Sequence, residues 1–471
     1  MDSEKTKEIQ VINMLVLRNE PGVPLYLEIY RQLREQIEDG TLRAGERLPS
    51  KRALASQLGV SVNTVDSAYG QLQSEGFVEV RPRSGFYVAV IDTLLRLSRP
   101  APDRDAPAEK KDSAAIDFAP GGVSREKFPF TVWQRLLRSC LSDPSSLSRA
   151  DPQGDPGLRA AVARYLFEAR GVRCDAGSVV IGAGSNSLLS MLGYLLPRAC
   201  TLAVENPVYN KAYLLFAHMG HAVVPAEIDK QGVLVEPIEA LDNAVLYTTP
   251  SHQYPLGVSM PMGRRVKLLN WAVHGKSRYI LEDDYDSEFR YDAHPVPSLQ
   301  SADRNGRVIY LGTFARSVAP SLRISYMVLP PDLLALYRRE YRRFGSQVST
   351  LEQAVLREFI NQGCFETHLN RMRVYYRNKR RRLLDALAPL GDSLRVIGEA
   401  AGHHLTVKSE RGLTERELCR RALESGVRVY PISPYFMGPC PYEGKVLLGF
   451  GGLSDREIAD GAARLCRAWT I

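Results

Sequence analysis

Five turns gather the side chains best suited to chemistry: GAGSN after Ile181, ENPVY after Val204, TPSHQYPLG after Tyr247, EDDYD after Leu281 and GTFARSVAPSLR after Leu311. Each follows a short apolar run and is polar or bears glycine. If those runs are parallel strands, ligands collect at their carboxyl ends, and turns brought together there would form a pocket. Taken singly, EDDYD reads equally well as a solvated loop. A second kind of chemistry sits earlier in the chain. Arg81-Pro82-Arg83-Ser84-Gly85 separates two alternating runs, FVEV and FYVAV, and a basic hairpin tip of this kind can lie against a phosphate backbone. The seven cysteines have no CxxC or CxxH spacing, and their odd number does not suit a closed disulfide framework. They read as reduced thiols, and no metal site is expected.

The elements that must position these groups fall into two parts. The chain has 471 residues, 44% hydrophobic and 24% charged, the balance of an ordinary globular protein rather than a disordered or membrane one. The opening MDSEKTKEIQ is polar, and no long uncharged apolar run follows it, so neither a signal peptide nor a spanning helix is expected and the location is expected to be cytoplasmic. The formal charge of +8 permits a polyanionic partner. Through Val90, however, eleven Lys and Arg face twelve Asp and Glu, so local placement rather than net charge must carry any nucleic-acid argument.

Tyr26, Ile29, Tyr30, Leu33 and Ile37 share one face of a first helix that ends at Gly40. Ser50 can cap a second helix with Leu54 and Leu58 inward, stopped by Gly59. Ser61 can cap a third, with Val65, Tyr69 and Leu72 inward, and two helices joined by so short a turn make a helix-turn-helix whose wing is the hairpin that follows. The run LPSKRALASQLGVSVNTVDSAYGQLQSEGFV, with the leading PLYLEIYRQL, resembles the GntR family of regulators. That resemblance implies that Arg52, Ser61, Asn63 and Thr64 approach double-stranded DNA, with Arg81 and Arg83 on the wing. Helix-start hydroxyls and amides suit phosphate, and arginine can read guanine edges. Many relatives carry arginine where this chain has Val62, which puts affinity or sequence preference in doubt. The expected domains are 21–90 for the reader, 91–116 for a Pro- and charge-rich linker, and 117–471 for the rest.

Beyond the linker, strand-like runs alternate with helical ones, giving an α/β class with a mostly parallel sheet. The five turns in this order, with DPQGDPGLRAAVARYL, FETHLNRMRVYYRNKR and AAGHHLTV, resemble the fold-type-I, aminotransferase-like domain of MocR regulators. The resemblance implies a pyridoxal phosphate pocket: Gly184, Ser185, Asn186 and Arg323 at the phosphate, and Asp283 at the pyridinium nitrogen. Tyr285 falls at the phenolic oxygen, and Tyr209 and the turn from His252 line the ring.

Relatives read GTFSK where this chain reads GTFAR, so Arg316 occupies the position of the Schiff-base lysine. A guanidinium stays protonated and has no lone pair for an aldehyde, so no catalytic residue is assigned. Ala315, Gly182, Ala183, Asn186, Ser187 and Val208 also depart from the common pattern. Three expectations stand side by side: pyridoxal phosphate held noncovalently, another small anionic metabolite between Arg316 and Arg323, or a dimerisation scaffold without a ligand. The expected function is a homodimeric transcription regulator that senses such a ligand. The alternatives are a ligand-independent DNA-binding scaffold and an aminotransferase with an accessory DNA-binding domain. Arg316 disfavours the enzyme, and no motif places Lys211 or Lys276 in the site.

Overall fold

The computed structural model describes residues 15–17, 23–90, 116–291, 297–398 and 401–470. Apart from Ile116, the expected linker lies outside the described residues, as do the first two positions of the expected reader. The chain divides into two compact units, with the boundary between Lys111 and Asp112.

The first unit contains α1 (Leu25–Glu38), α2 (Lys51–Leu58), α3 (Val62–Ser74) and the antiparallel pair β1 (Val78–Arg81) and β2 (Gly85–Val88). Its helices start and stop where their capping residues dictate. Ser50 Oγ accepts from the Ala53 amide at 3.2 Å, and Ser61 Oγ accepts from the Thr64 amide at 3.1 Å. Gly59 ends α2 in the left-handed conformation, φ +66°, which costs glycine nothing and lets α3 begin at once. Ile29, Leu33, Leu54, Val65, Tyr69 and Leu72 are fully buried in one core. Tyr26 and Leu58 only pack at its edge. The Tyr69 hydroxyl donates to Pro49 O at 3.0 Å, tying α3 to the residue before the cap of α2.

In the second unit β3 (Ile116–Asp117), α4 (Phe130–Leu141) and α5 (Pro156–Arg170) precede an alternating series. This runs β4 (Val179–Gly182), α6 (Ser185–Leu195), β5 (Thr201–Asn206), α7 (Asn210–His218), β6 (Ala222–Asp229), β7 (Gly232–Val233), β8 (Ala244–Thr248), α8 (Met262–His274), β9 (Tyr279–Asp284) and β10 (Val308–Thr313). Then come β11 (Ser325–Val328), α9 (Pro331–Leu336), α10 (Thr350–Asn361) and α11 (Cys364–Leu387). The strand order is β4-β11-β10-β9-β8-β5-β6-β7. From β10 through β6 all neighbours are parallel, whereas β11 is antiparallel to both β10 and β4.

Every residue of β4, β8 and β10 is buried, the mark of strands covered on both faces. Alternate residues divide between two cores. Val204, Leu281 and Leu311 pack with Leu188, Leu192 and Phe216 of α6 and α7, while Ala203, Leu246 and Ile280 face Leu268 and Trp271 of α8. The chain closes with β12 (Leu394–Ile397), β13 (His404–Ser409), α12 (Glu415–Glu424), β14 (Val427–Arg428), β15 (Tyr430–Pro431), β16 (Lys445–Gly449) and α13 (Asp455–Thr470). β12, β13, β16 and β15 form an antiparallel sheet of four strands, and β14 pairs with β3. The five strand-like runs are thus β4, β5, β8, β9 and β10; β11 and the second sheet were not expected.

Candidate functional site

In the first unit, Arg52 on α2 and Ser61, Val62 and Asn63 at the start of α3 are exposed, with Thr64 partly so. The Ser61 and Thr64 hydroxyls lie 2.8 Å apart, so both are held at the helix start while its free amides point outward. Val62 is 43% exposed, an apolar patch within that polar turn. Lys51, passed over in the sequence, pairs with Asp66 of α3 and lies 4.8 Å from the Phe86 ring centre, clipping α2, α3 and the wing together. Arg81 donates to Glu79 at 2.8 Å and stacks 4.3 Å from the Tyr87 ring centre; Arg83 turns the hairpin with φ +61°. Arg81 is therefore held along its own strand, and Arg83 projects from the tip.

In the second unit the turns meet at the carboxyl ends of β4, β5, β8, β9 and β10. Gly184 begins α6 with φ +86°, and a Cβ there would stand 2.6 Å from Nη2 of Arg323. Only glycine admits this approach of a guanidinium to a helix start, and the pairing makes an anion cradle. Arg323 itself adopts φ +51°. Ser185 Oγ lies 3.4 Å from Ser325 Oγ, which donates to Thr313 at 2.8 Å. Asn186 is partly buried in the first turn of α6, and its carbonyl accepts from Ser190.

Asp283, at the end of β9, accepts a hydrogen bond from Tyr247. Burial raises its carboxyl to about 7; the Tyr247 bond opposes this, and the nearby Asp284, Asp286 and Glu205 add to it. Among the described residues no cation bonds to it. Tyr285 Oη lies 2.9 Å from His252 Nδ1, which is also 3.0 Å from both oxygens of Asp286. The carboxylate draws the one proton of Nδ1, which leaves that nitrogen no lone pair for Tyr285, so the phenol keeps its own hydrogen for a ligand. Burial holds Tyr285 well above the usual phenol range, so it stays a donor. Tyr209 feels the charges of Asp283, Arg316 and Arg323, and its ring meets Tyr254 edge-on at 6.2 Å. Arg316 donates to Pro120 O at 3.2 Å, and its charge reaches Tyr209, Tyr254, Tyr285, His403 and His404. It therefore stands among the site groups.

These residues fit pyridoxal phosphate as a noncovalent guest: the Gly184–Arg323 approach matches a phosphate and the under-compensated Asp283 a pyridinium. Lys276 is exposed before the amino end of β9, away from the site, and Lys211 is exposed in the first turn of α7. Lys379, not considered from sequence, is buried with its ammonium on the carbonyls of Gly451 and Leu453.

The supporting layer was also missed. Arg170 Nε donates to Asp284 Oδ2 at 2.7 Å and Nη2 to Ser251 Oγ at 2.7 Å, while Tyr310 donates to the same carboxylate at 2.5 Å. Glu205 accepts from Thr248 Oγ1 at 2.5 Å and from Thr249 N at 3.0 Å. An acid inside an apolar strand, as in LAVEN and YILEDD, was the available signal. Nothing local marked Arg170, which caps no motif and sits at the end of α5.

The model of bacterial regulatory proteins of the gntR family matches residues 25–88, and that of class I and II aminotransferases matches residues 120–465. The HTH-type transcriptional regulator YhdI of Bacillus subtilis is 38% identical over 95% of this chain and 96% of its own. The probable rhizopine catabolism regulatory protein MocR of Rhizobium meliloti is 35% identical over 97% and 96%. Among solved structures, the α-aminoadipate aminotransferase LysN of Thermus thermophilus, complexed with N-(5′-phosphopyridoxyl)-L-leucine, superposes with a TM-score of 0.67. It is 27% identical, with 75% of this chain and 92% of that one covered. Among the described residues no helix is long and apolar enough to cross a membrane. The chain belongs to the MocR-like transcriptional regulators, in which a gntR-family DNA-binding domain is joined to an aminotransferase class I and II domain.

Proposed function

We propose that this regulator binds pyridoxal phosphate noncovalently in its aminotransferase-like domain and uses occupancy to alter how a homodimer engages its operator. The observation that carries this reading is the approach of Arg323 to Gly184 beside the buried Asp283, with Arg316, which the sequence resemblance puts at the lysine position, among the same groups. Pyridoxal phosphate, when bound to enzymes of this fold, serves as an electron sink for amino-acid chemistry. Here Arg323 and the amides of α6 hold an anion, Asp283 receives a ring N–H, Tyr285 donates to an oxygen, and Arg316 offers a fixed positive charge. The Arg316 guanidinium has no lone pair to accept an aldehyde. Ligand acts on DNA binding only if it favours one arrangement of the two readers over another. Paired half-sites are the expected operator.

A visible-absorption titration with pyridoxal phosphate, followed by borohydride and removal of small molecules, tests the reading beside Arg316→Lys. Native protein is expected to bind the chromophore and release it after borohydride, while the variant retains it. Chromophore retained by native protein would place a lysine in reach and restore the enzyme. No binding by either protein would move the search to a different anionic metabolite.

A further inference from the structure

A second cavity, of about 460 Å³, opens between α5, the turn after β9 and the region where α10 meets α11. It falls within the roughly 300–1,000 Å³ usual for small-molecule sites. Glu288, 8% exposed, lines it: Oε1 accepts from Tyr165 at 3.1 Å, and Oε2 has no partner. Arg290 lines it too. Its Nη1 donates to Ser251 O and Ser259 Oγ at 3.2 Å each, but its inaccessible Nε has no partner. Buried polar atoms are nearly always paired, so an acid and a base two residues apart, both unsatisfied beside one cavity, require an explanation.

The surroundings narrow the occupant. A simple cation would leave Arg290 unmatched, and a simple anion would leave Glu288 unmatched. Ile360, Phe365 and Leu369 give the cavity an apolar wall. At its rim Arg164 and Arg373 alternate with Glu168 and Glu366, so no field of one sign favours a multiply charged guest. We infer that this cavity is a second ligand site for a free α-amino acid with an apolar side chain: its ammonium meets Glu288, its carboxylate meets the Arg290 guanidinium, and its side chain lies on Phe365 and Leu369. The site also shares a wall with the first pocket. Arg170 and Arg290 hold Ser251 by its hydroxyl and its carbonyl, and Ser251 precedes His252.

Calorimetric titration of the full chain with L-leucine and L-phenylalanine tests this. Saturable binding of at least one is expected at millimolar concentration or below, weakened at least tenfold by Glu288→Gln. Ala169→Trp fills the mouth from an exposed position and is expected to weaken it equally while leaving pyridoxal phosphate titration unchanged. Asp283→Asn, which disables the first pocket, is expected to leave amino-acid binding intact. No saturable binding of either amino acid, or binding indifferent to Ala169→Trp, overturns the inference. So does binding abolished by Asp283→Asn, since the amino acid would then occupy the first pocket.

Discussion

The two units place their functional groups in opposite environments. At the reader, Arg52, Ser61 and Asn63 stand in water, and their arrangement follows from caps and turns only a few residues long. In the second unit, Asp283 and Tyr285 come from the end of β9 and Arg316 from the turn after β10, and all three rest on a buried layer of charge, Arg170 against Asp284 and Glu205 against Thr248. Exposed groups for a polyanion need only be displayed. Groups for a small ligand must be desolvated and therefore supported.

The contrast predicts unequal sensitivity to mutation. Arg170→Ala should be the most damaging change, because it leaves Asp284 buried without its cation. A loss of about 3–5 kcal/mol is expected for breaking a buried pair, read by urea unfolding of the large unit. A loss no greater than that of an exposed pair would remove the distinction between the units.

Asp283→Asn comes next and has a worked sign. With its folded-state carboxyl near 7, Asp283 is protonated when folded and ionised when unfolded between the ordinary carboxylate range and that value. The folded state then binds more protons, so native stability falls as pH rises through this window and levels above it. The variant should melt higher than native protein at about pH 8 and equally below about pH 4. It should also bind pyridoxal phosphate at least tenfold more weakly. Coincident melting at both pH values would place the carboxyl in an ordinary environment.

At the reader, Arg52→Ala should weaken binding to genomic fragments selected by the native protein by about 1–3 kcal/mol, measured by anisotropy, without moving the melting temperature. Unchanged affinity would sink the assignment of this face to DNA. The smallest effect is expected of Ser61→Ala, a loss of about 1 kcal/mol for one helix cap in unfolding of the reader.

The reader was almost wholly legible in the sequence. Its helix faces and its caps Ser50, Ser61 and Gly59 are local signals, and local interactions built them. The large unit was legible at its turns, since the five strand ends were marked by apolar runs broken by glycine or charge. Antiparallel β11 was not, because the segment ISYMV carries the same apolar run whichever way its strand points, and direction is set by pairing with β10 and β4.

Residue type alone determined that Arg316 cannot be a covalent nucleophile, since no fold gives a guanidinium a free amine lone pair. It also determined which side chains sit at strand ends. Only the tertiary structure decided that Arg323 closes on Gly184, that Asp286 sets the proton of His252, and that Glu288 and Arg290 share a cavity with atoms unpaired. Those facts depend on which distant groups exclude water from which others. Burial of that kind is a property of packing, and sequence neighbours do not report it.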